Sequence, residues 1–258
     1  MNKREVSSLV AAVAVGVVVA LIPVSSAAQG VDKAGKFGPV GPGGPKGQGK
    51  AAPTGPTPRM PDGKPDLQGV WTPGLSFANM GQVSLQPWAQ ELYQQRRATL
   101  SKDDPEGHCL PAGVPRISPF PQKFVQTPKL VVILDEGNIH SFRQIPLDRD
   151  HPKEVDPLWM GDSVGKWDGD TLVVDTIGFN DKTWLNGQGV PHSEELHVVE
   201  RYSRPDLGHL EVDITMEDSK AFTKPHNFKR VFTLMPNTDL LEYVCNEFNV
   251  DKDHLYGK

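Results

Sequence analysis

Apolar segments joined by short polar turns constrain the fold of this chain more than any other feature of its sequence. Asp168-Gly169 separates the apolar segments 164–167 and 170–177. Asp-Gly in such a place strongly predicts a β-hairpin, because glycine adopts positive φ freely. Residues 210–216 alternate between apolar and polar, as in a strand with one buried face. Such hairpins follow one another from residue 129 onward without crossover helices, which argues against a parallel sheet.

The pattern therefore predicts a mainly β domain with about nine antiparallel strands and one short helix. Pro87 suits the first position of that helix, which is predicted over 87–100, and the proline-rich stretch 108–128 is predicted to be an extended loop. An up-and-down barrel, closed or nearly closed, would hide the strand edges, and a two-sheet β-sandwich is the alternative. The predicted strands are 65–71, 130–134, 139–145, 164–167, 170–177, 196–202, 210–216, 228–234 and 240–245.

Three regions of different composition divide the chain. Residues 1–28 begin with two cations, continue with an apolar run over 9–24 and end in small residues, as in a cleaved secretory signal peptide. The apolar run is shorter than the ~20 residues that a spanning helix needs. Residues 29–64 are rich in Gly, Pro and Lys and are predicted to be a disordered linker. Residues 65–258 form the single β-rich domain, and the protein is expected in the periplasm or outside the cell.

The net charge of the β domain excludes one class of binding partner. The chain carries a net charge of −5. Residues 1–28 contribute +1 and residues 29–64 contribute +4, so the β domain carries −10. An acidic domain without a basic face does not favour binding of nucleic acid.

Cys109 and Cys245 are the only cysteines, and in an oxidising compartment they are expected to form a disulfide rather than a zinc site. No span of a membrane is expected after signal cleavage.

Several motifs resemble those of an uncharacterised family of secreted bacterial proteins. They are CLPAGVPR at 109–116, EGNIHSFRQI at 136–145, WMGDSVGKWDGDTLVVD at 159–175, and GFNDK at 178–182 with Glu200-Arg201 beyond it. The resemblance covers most of residues 65–248 and implies export and a β-rich domain, but no established chemistry. Separately, Gly69-Val70-Trp71 resembles the first strand of lipocalin-type barrels.

Titratable residues supply candidates for an active site. His192 and His197 flank two glutamates, which suits acid–base chemistry or, less directly, a metal; no other cofactor is predicted. Ser163 lies in a G-x-S-x-G motif, but the hairpin that follows it does not fit a nucleophile elbow. An arginine inside a barrel would favour a carboxylate ligand, whereas one outside would be a solvated charge. The candidate catalytic residues are His140, Arg143, Asp162, Asp181, Lys182, His192, His197 and Glu200.

Two hypotheses for function follow from this pattern. The first is an exported β-barrel protein that binds a small, partly apolar molecule, in the manner of lipocalins. The alternative is an exported hydrolase, lyase or isomerase that uses histidine and carboxylate side chains, with or without a metal. A structural module held away from a surface by the linker is a third possibility. The sequence leaves the ligand and the oligomeric state open. Candidate ligand-binding residues are Trp71, Phe142, Trp167, Trp184 and Tyr202.

Overall fold

The computed structural model describes residues 51–245 except Asn79, Asn138 and His140. One helix, α1, spans Pro87–Ala98, and short 3₁₀ turns occur at Gly74–Ala78 and Pro105–His108. The nine strands are β1 Gly69–Thr72, β2 Gln122–Gln126, β3 Leu130–Asp135, β4 Phe142–Pro146, β5 Asp162–Asp168, β6 Thr171–Ile177, β7 His197–Ser203, β8 His209–Glu217 and β9 His226–Leu234.

These strands form one nearly closed antiparallel barrel, so the predicted fold class is confirmed. The strand order is β4-β3-β2-β1-β9-β8-β7-β6-β5. Strands that follow one another in the sequence are therefore neighbours, and β9 returns to pair with β1 through Trp71 opposite Leu234. This is the up-and-down arrangement, in which only one gap remains in the wall.

The gap lies between β4 and β5, and we call it the seam. Eight antiparallel pairs lead from β4 round to β5, so the two seam strands run in the same direction. A tight turn cannot join strands in this relation, which explains the long connection 147–161 between them. Side chains rather than ladder hydrogen bonds join the seam strands: Arg143 Nε donates to Ser163 Oγ at 2.8 Å.

Alternate side chains along each strand point inward and fill the interior of the barrel. Val198, Glu200 and Tyr202 of β7 are buried, and Val212 and Ile214 of β8 are buried beside them. Most inward positions are apolar and form one continuous core. The long connections 73–121 and 178–196 lie at the same end of the barrel as the β3–β4 and β8–β9 turns. A buried polar cluster interrupts the core toward that end.

Two predicted elements were wrong. Residues 240–245 were predicted to be a strand but form none; they are largely exposed, since only two of the six reach intermediate burial. Residues 122–126 were assigned to an extended loop, yet they form β2, which pairs with both β1 and β3. Their inward residues are Gln122, Phe124 and Gln126, so polar side chains at both ends conceal the alternation. Helix α1 is confirmed, two residues shorter than predicted.

Segments outside the strands are tied to the barrel. Cys109 and Cys245 form the predicted disulfide. Near the end of the predicted linker, Arg59 forms an ion pair of 2.6 Å with Asp170, and Leu207 N donates to Gly55 O. Among the described residues, no helix is both long and apolar enough to cross a membrane.

Candidate functional site

Four charged side chains and one tyrosine lie inside the barrel, toward the end that carries the long connections. We call them the interior cluster: Asp135, Arg143, Glu200, Tyr202 and Arg230. All five are inward-facing strand residues and are nearly inaccessible to solvent. Buried charges are rare unless they are paired, so a group of this size identifies the interior as the candidate site.

Arg143 spans the seam from β4. Its Nη1 lies 2.5 Å from Glu200 Oε2, and its Nη2 donates to Thr176 Oγ1 at 2.6 Å. With the bond from Nε to Ser163, this one guanidinium contacts three further strands, β5, β6 and β7. Burial alone would lower the pKa of Arg143, but the Glu200 carboxylate raises it above its ordinary value. The side chain is therefore a permanent cation that closes the gap in the wall.

Tyr202 completes the partners of Glu200. Its hydroxyl donates to Glu200 Oε1 at 2.9 Å, because residues two apart on a strand face the same side. The ring packs edge-on against Phe124 with centroids 5.8 Å apart. Burial, and next the Glu200 charge, raises the pKa of Tyr202 well above its ordinary value. Tyr202 is therefore a neutral donor to Oε1, whereas Glu200 Oε2 has the Arg143 ion pair but no hydrogen-bond partner among the described residues.

Asp135 is the titrating member of the cluster. Gln122 Nε2 donates to its Oδ1 at 2.6 Å, and Ser141 Oγ donates to its Oδ2 at 3.1 Å. Burial nevertheless dominates and raises the pKa of Asp135 to about 6. Its charge therefore changes within the range of ordinary environments, unlike that of Arg143.

Asp135→Asn is expected to change the pH dependence of stability. The folded pKa of Asp135 lies above the unfolded value, so the folded state holds the proton more tightly, and stability decreases as pH rises from about 4 to about 6. Wild type should therefore lose about 2 kcal/mol relative to Asp135→Asn between pH 4 and 7. Denaturant unfolding at a series of pH values measures this, and a constant difference would contradict it.

Arg230 of β9 is the least compensated charge of the cluster. Its Nη1 donates to the carbonyl oxygen of Pro115, and its guanidinium lies 5.0 Å from the centre of the Phe228 ring. Nε has no hydrogen-bond partner among the described residues. Burial lowers the pKa of Arg230 to about 10, although the Glu200 charge opposes the shift. The side chain is still a cation at neutral pH.

The interior cluster lines a small cavity. Its volume is about 30 Å³, which exceeds the roughly 10–15 Å³ that a cavity needs to hold one water molecule. All five members of the cluster line it. The apolar part of its lining consists of Val114, Pro115, Ile117, Ile133, Met160, Val212, Ile214 and Phe232. The lining therefore combines charged and apolar side chains, and on β3 and β9 the two kinds alternate along the strand, as in Ile133 and Asp135.

Residues 113–117, which we call the cap, cover the cavity. Arg116 anchors the cap through ion pairs with Asp104 at 2.8 Å and Glu106 at 2.6 Å. The Pro115 carbonyl is bound by Arg230, as described above. The cap follows Cys109 by four residues, so the disulfide restrains the segment from which it starts. The cap also packs against the core, since Val114 is buried among the core residues and Ile117 contacts them.

The other candidate catalytic residues lie elsewhere. His192 is buried, with Nε2 2.7 Å from Thr183 Oγ1, and burial lowers its pKa. Asp181 and Lys182 are exposed in the β6–β7 connection, and Lys182 lines an open groove of about 540 Å³. His140 lies outside the described residues. Of the eight candidates, the structure therefore places only Arg143 and Glu200 at the cavity.

Asp162 and His197 belong to a network on the outer surface of the barrel. The ring of His151 lies between Asp162 at 2.7 Å and Asp175 at 2.9 Å, and His197 contacts the other oxygen of Asp175 at 2.8 Å. His197, which contacts Asp175, therefore shares no partner with His192, which contacts Thr183. Among the described residues, no three His, Cys, Asp or Glu side chains are arranged to hold a metal ion.

Of the candidate ligand-binding aromatics, Tyr202 alone lines the cavity. Trp71 is fully buried in the core and donates Nε1 to Leu67 O at 3.0 Å. Phe142 lies on the outer surface and is 57% exposed. Trp167 packs at the edge of the core beneath Lys64, and Trp184 is buried beneath Arg96 at 4.5 Å. None of these four aromatic side chains lines the cavity.

Two members of the interior cluster were missed by the sequence analysis. Asp135 and Arg230 were not among the candidates, although each is a charged residue at an inward position of an alternating strand. That signal was available for Asp135, which follows Val131 and Ile133 at intervals of two.

Comparison of the chain with protein-family models, with curated proteins and with solved structures finds no match.

Proposed function

We propose that this chain is an exported small-molecule binding protein that holds a compact, partly apolar ligand inside the barrel. One observation carries the proposal: a cavity lined by both charged and apolar side chains lies inside the barrel, with the cap forming part of its wall. Binding sites of small molecules commonly combine a mainly apolar lining with a few polar groups that fix the orientation of the ligand.

The size of the cavity defines how a ligand would bind. Sites for drug-sized molecules have volumes of about 300–1,000 Å³, whereas this cavity measures about 30 Å³ with the cap closed. A ligand of more than a few atoms must therefore displace the cap. Val114 and Ile117 contact the cavity from the cap, so a ligand tail would replace their apolar contacts.

Export is the second part of the proposal. It is supported by the signal-peptide pattern of residues 1–28. It is also supported by the Cys109–Cys245 disulfide, because disulfides persist mainly in oxidising compartments. Membership of the secreted bacterial family suggested by the motifs is part of the same proposal.

The enzyme alternative has less support. Its histidines with described positions lie outside the cavity, and the ring nitrogens of His192 contact Thr183 and the Ser193 carbonyl. His197 is held by Asp175 on the outer surface. A binding role does not require these groups to converge.

Methyl NMR of the mature protein tests the proposal directly. Hexanoate and 1-hexanol, added separately at millimolar concentration, should shift the methyl signals of Ile133, Val212 and Ile214 through binding next to them. Val231 follows Arg230 on β9 but is exposed on the outer surface, so its methyl signals serve as the matched control. Unchanged interior signals with both probes, or shifts confined to the outer surface, would refute the proposal.

A further inference from the structure

We infer that Arg230 is the receptor for a carboxylate group, so that the ligand of this barrel is a small carboxylic acid with an apolar remainder. The inference rests on the proposed function, since it assigns a ligand class to the same cavity. It is carried by the geometry of the interior cluster, in which one guanidinium is fully committed to protein partners and the other is not.

The two interior arginines differ in their partners. In Arg143 every nitrogen has a protein partner: Nε donates to Ser163, Nη2 donates to Thr176, and Nη1 lies 2.5 Å from Glu200. Arg230 uses Nη1 on a neutral carbonyl, and its buried Nε has no hydrogen-bond partner among the described residues. Arg230 thus retains donors on the cavity wall.

A buried cation without an anionic partner is costly for the fold. Taking a charged group out of water carries a penalty of several kcal/mol unless an opposite charge and hydrogen bonds compensate it. The Phe228 ring and the Pro115 carbonyl compensate Arg230 only in part. Methionine would fill a similar space without that penalty, so the charge is best explained by a partner that is absent from the chain itself.

The geometry favours a carboxylate among anions. A guanidinium presents parallel N–H groups that match the two oxygens of a carboxylate. The cavity of about 30 Å³ is small, so only a compact head group would lie beside Arg230 and the remainder of the ligand would displace the cap. Val212 and Phe232 continue the wall with apolar surface, which an alkyl or aryl remainder would cover.

Titration calorimetry and methyl NMR with hexanoate and 1-hexanol test the inference, because the two probes share a chain length and differ in the head group. We expect wild type to bind hexanoate at least about tenfold more tightly, as a hydrogen bond to a charged group is worth about a tenfold or larger factor. Arg230→Met should abolish that preference, because it weakens the binding of hexanoate much more than the binding of 1-hexanol. Arg230→Lys, which keeps the charge but loses the fork, should retain part of it.

Lys229→Met is the matched control. It removes the same charge from the neighbouring position, where the side chain contacts Glu211 and Asp213 on the outer surface. It should leave both affinities unchanged. Without ligand, Arg230→Met should unfold at the same or a higher temperature than wild type, since it removes an uncompensated charge.

The outcomes separate this inference from the proposed function. If both probes bind wild type with equal affinity, the barrel is a binding protein but Arg230 is not a carboxylate receptor. If Arg230→Met keeps the preference for hexanoate, the inference is likewise overturned. If neither probe binds in the interior, the proposed function itself fails.

Discussion

Arg143→Met is expected to lower the free energy of unfolding by about 4 kcal/mol, because removing one partner of a buried ion pair leaves the other charge uncompensated. Glu200 would keep the Tyr202 hydroxyl but lose its only ion-pair contact within the described residues, while remaining only 4% exposed. The seam would lose its guanidinium as well, although Ser163 and Thr176 remain 3.1 Å apart and can bond to each other.

A double-mutant cycle separates the ion pair from simple loss of packing. Glu200→Leu alone should also be strongly destabilising, since it leaves the buried Arg143 guanidinium without its carboxylate partner. The double variant Arg143→Met/Glu200→Leu should lose less than the sum of the two single effects, by about 2–3 kcal/mol, because no unpaired partner of this contact remains. Denaturant unfolding of the four proteins provides all of these values.

Arg201→Met is the matched control for this cycle. Arg201 follows Glu200 on β7 and pairs with Asp168 at 2.7 Å, but its side chain is 45% exposed on the outer surface. Exposed ion pairs contribute about 0–1 kcal/mol, so this variant should be nearly as stable as wild type. If Arg143→Met lowered the free energy of unfolding no more than Arg201→Met does, the contacts of Arg143 would not stabilise the seam.

The architecture follows from local patterns that the sequence displays openly. The Asp168-Gly169 signal and the alternation in 210–216 are short-range; the hairpin is confirmed with its turn one residue later, at Gly169-Asp170, and 210–216 lies in β8 as predicted. The strand count was also nine, but through two compensating errors. β2 was missed because Gln122 and Gln126 occupy inward positions, and 240–245 was added because its apolar residues resemble a strand. Local composition cannot reveal that those residues lack a neighbouring strand.

The candidate site was less predictable because it depends on long-range geometry. Arg143 and Glu200 were each recognised as residues that could point inward, but their pairing requires β4 and β7 to meet across the seam. Arg230 lies at an inward position of a strand whose flanking outward positions, Lys229 and Val231, obscure the alternation. Which of several inward charges lacks a partner is decided by the whole interior and leaves no trace in any single segment.

Removing the disulfide is the second change with a large expected effect. Cys109→Ser/Cys245→Ser should lower the free energy of unfolding by about 4 kcal/mol, because the bond closes a loop with a sequence separation of 136 and so restricts the unfolded chain. Reduction of wild type with dithiothreitol should reproduce the loss. The same reagent should leave the double variant unchanged, which serves as the control.

The disulfide should also govern the cap locally. Residues 235–245 contain no strand, and their other contacts include the Lys123–Asp239 ion pair and the stacking of Phe120 on Tyr243 at 6.2 Å. Because the bond joins this segment to Cys109, its loss should increase amide hydrogen exchange in 105–117 more than in β7 or β8. Exchange that rises equally in all strands would instead indicate a uniform loss of stability. A cap that loosens on reduction would hold its ligand well only in an oxidising compartment, which links the proposed binding site to the proposed export of the protein.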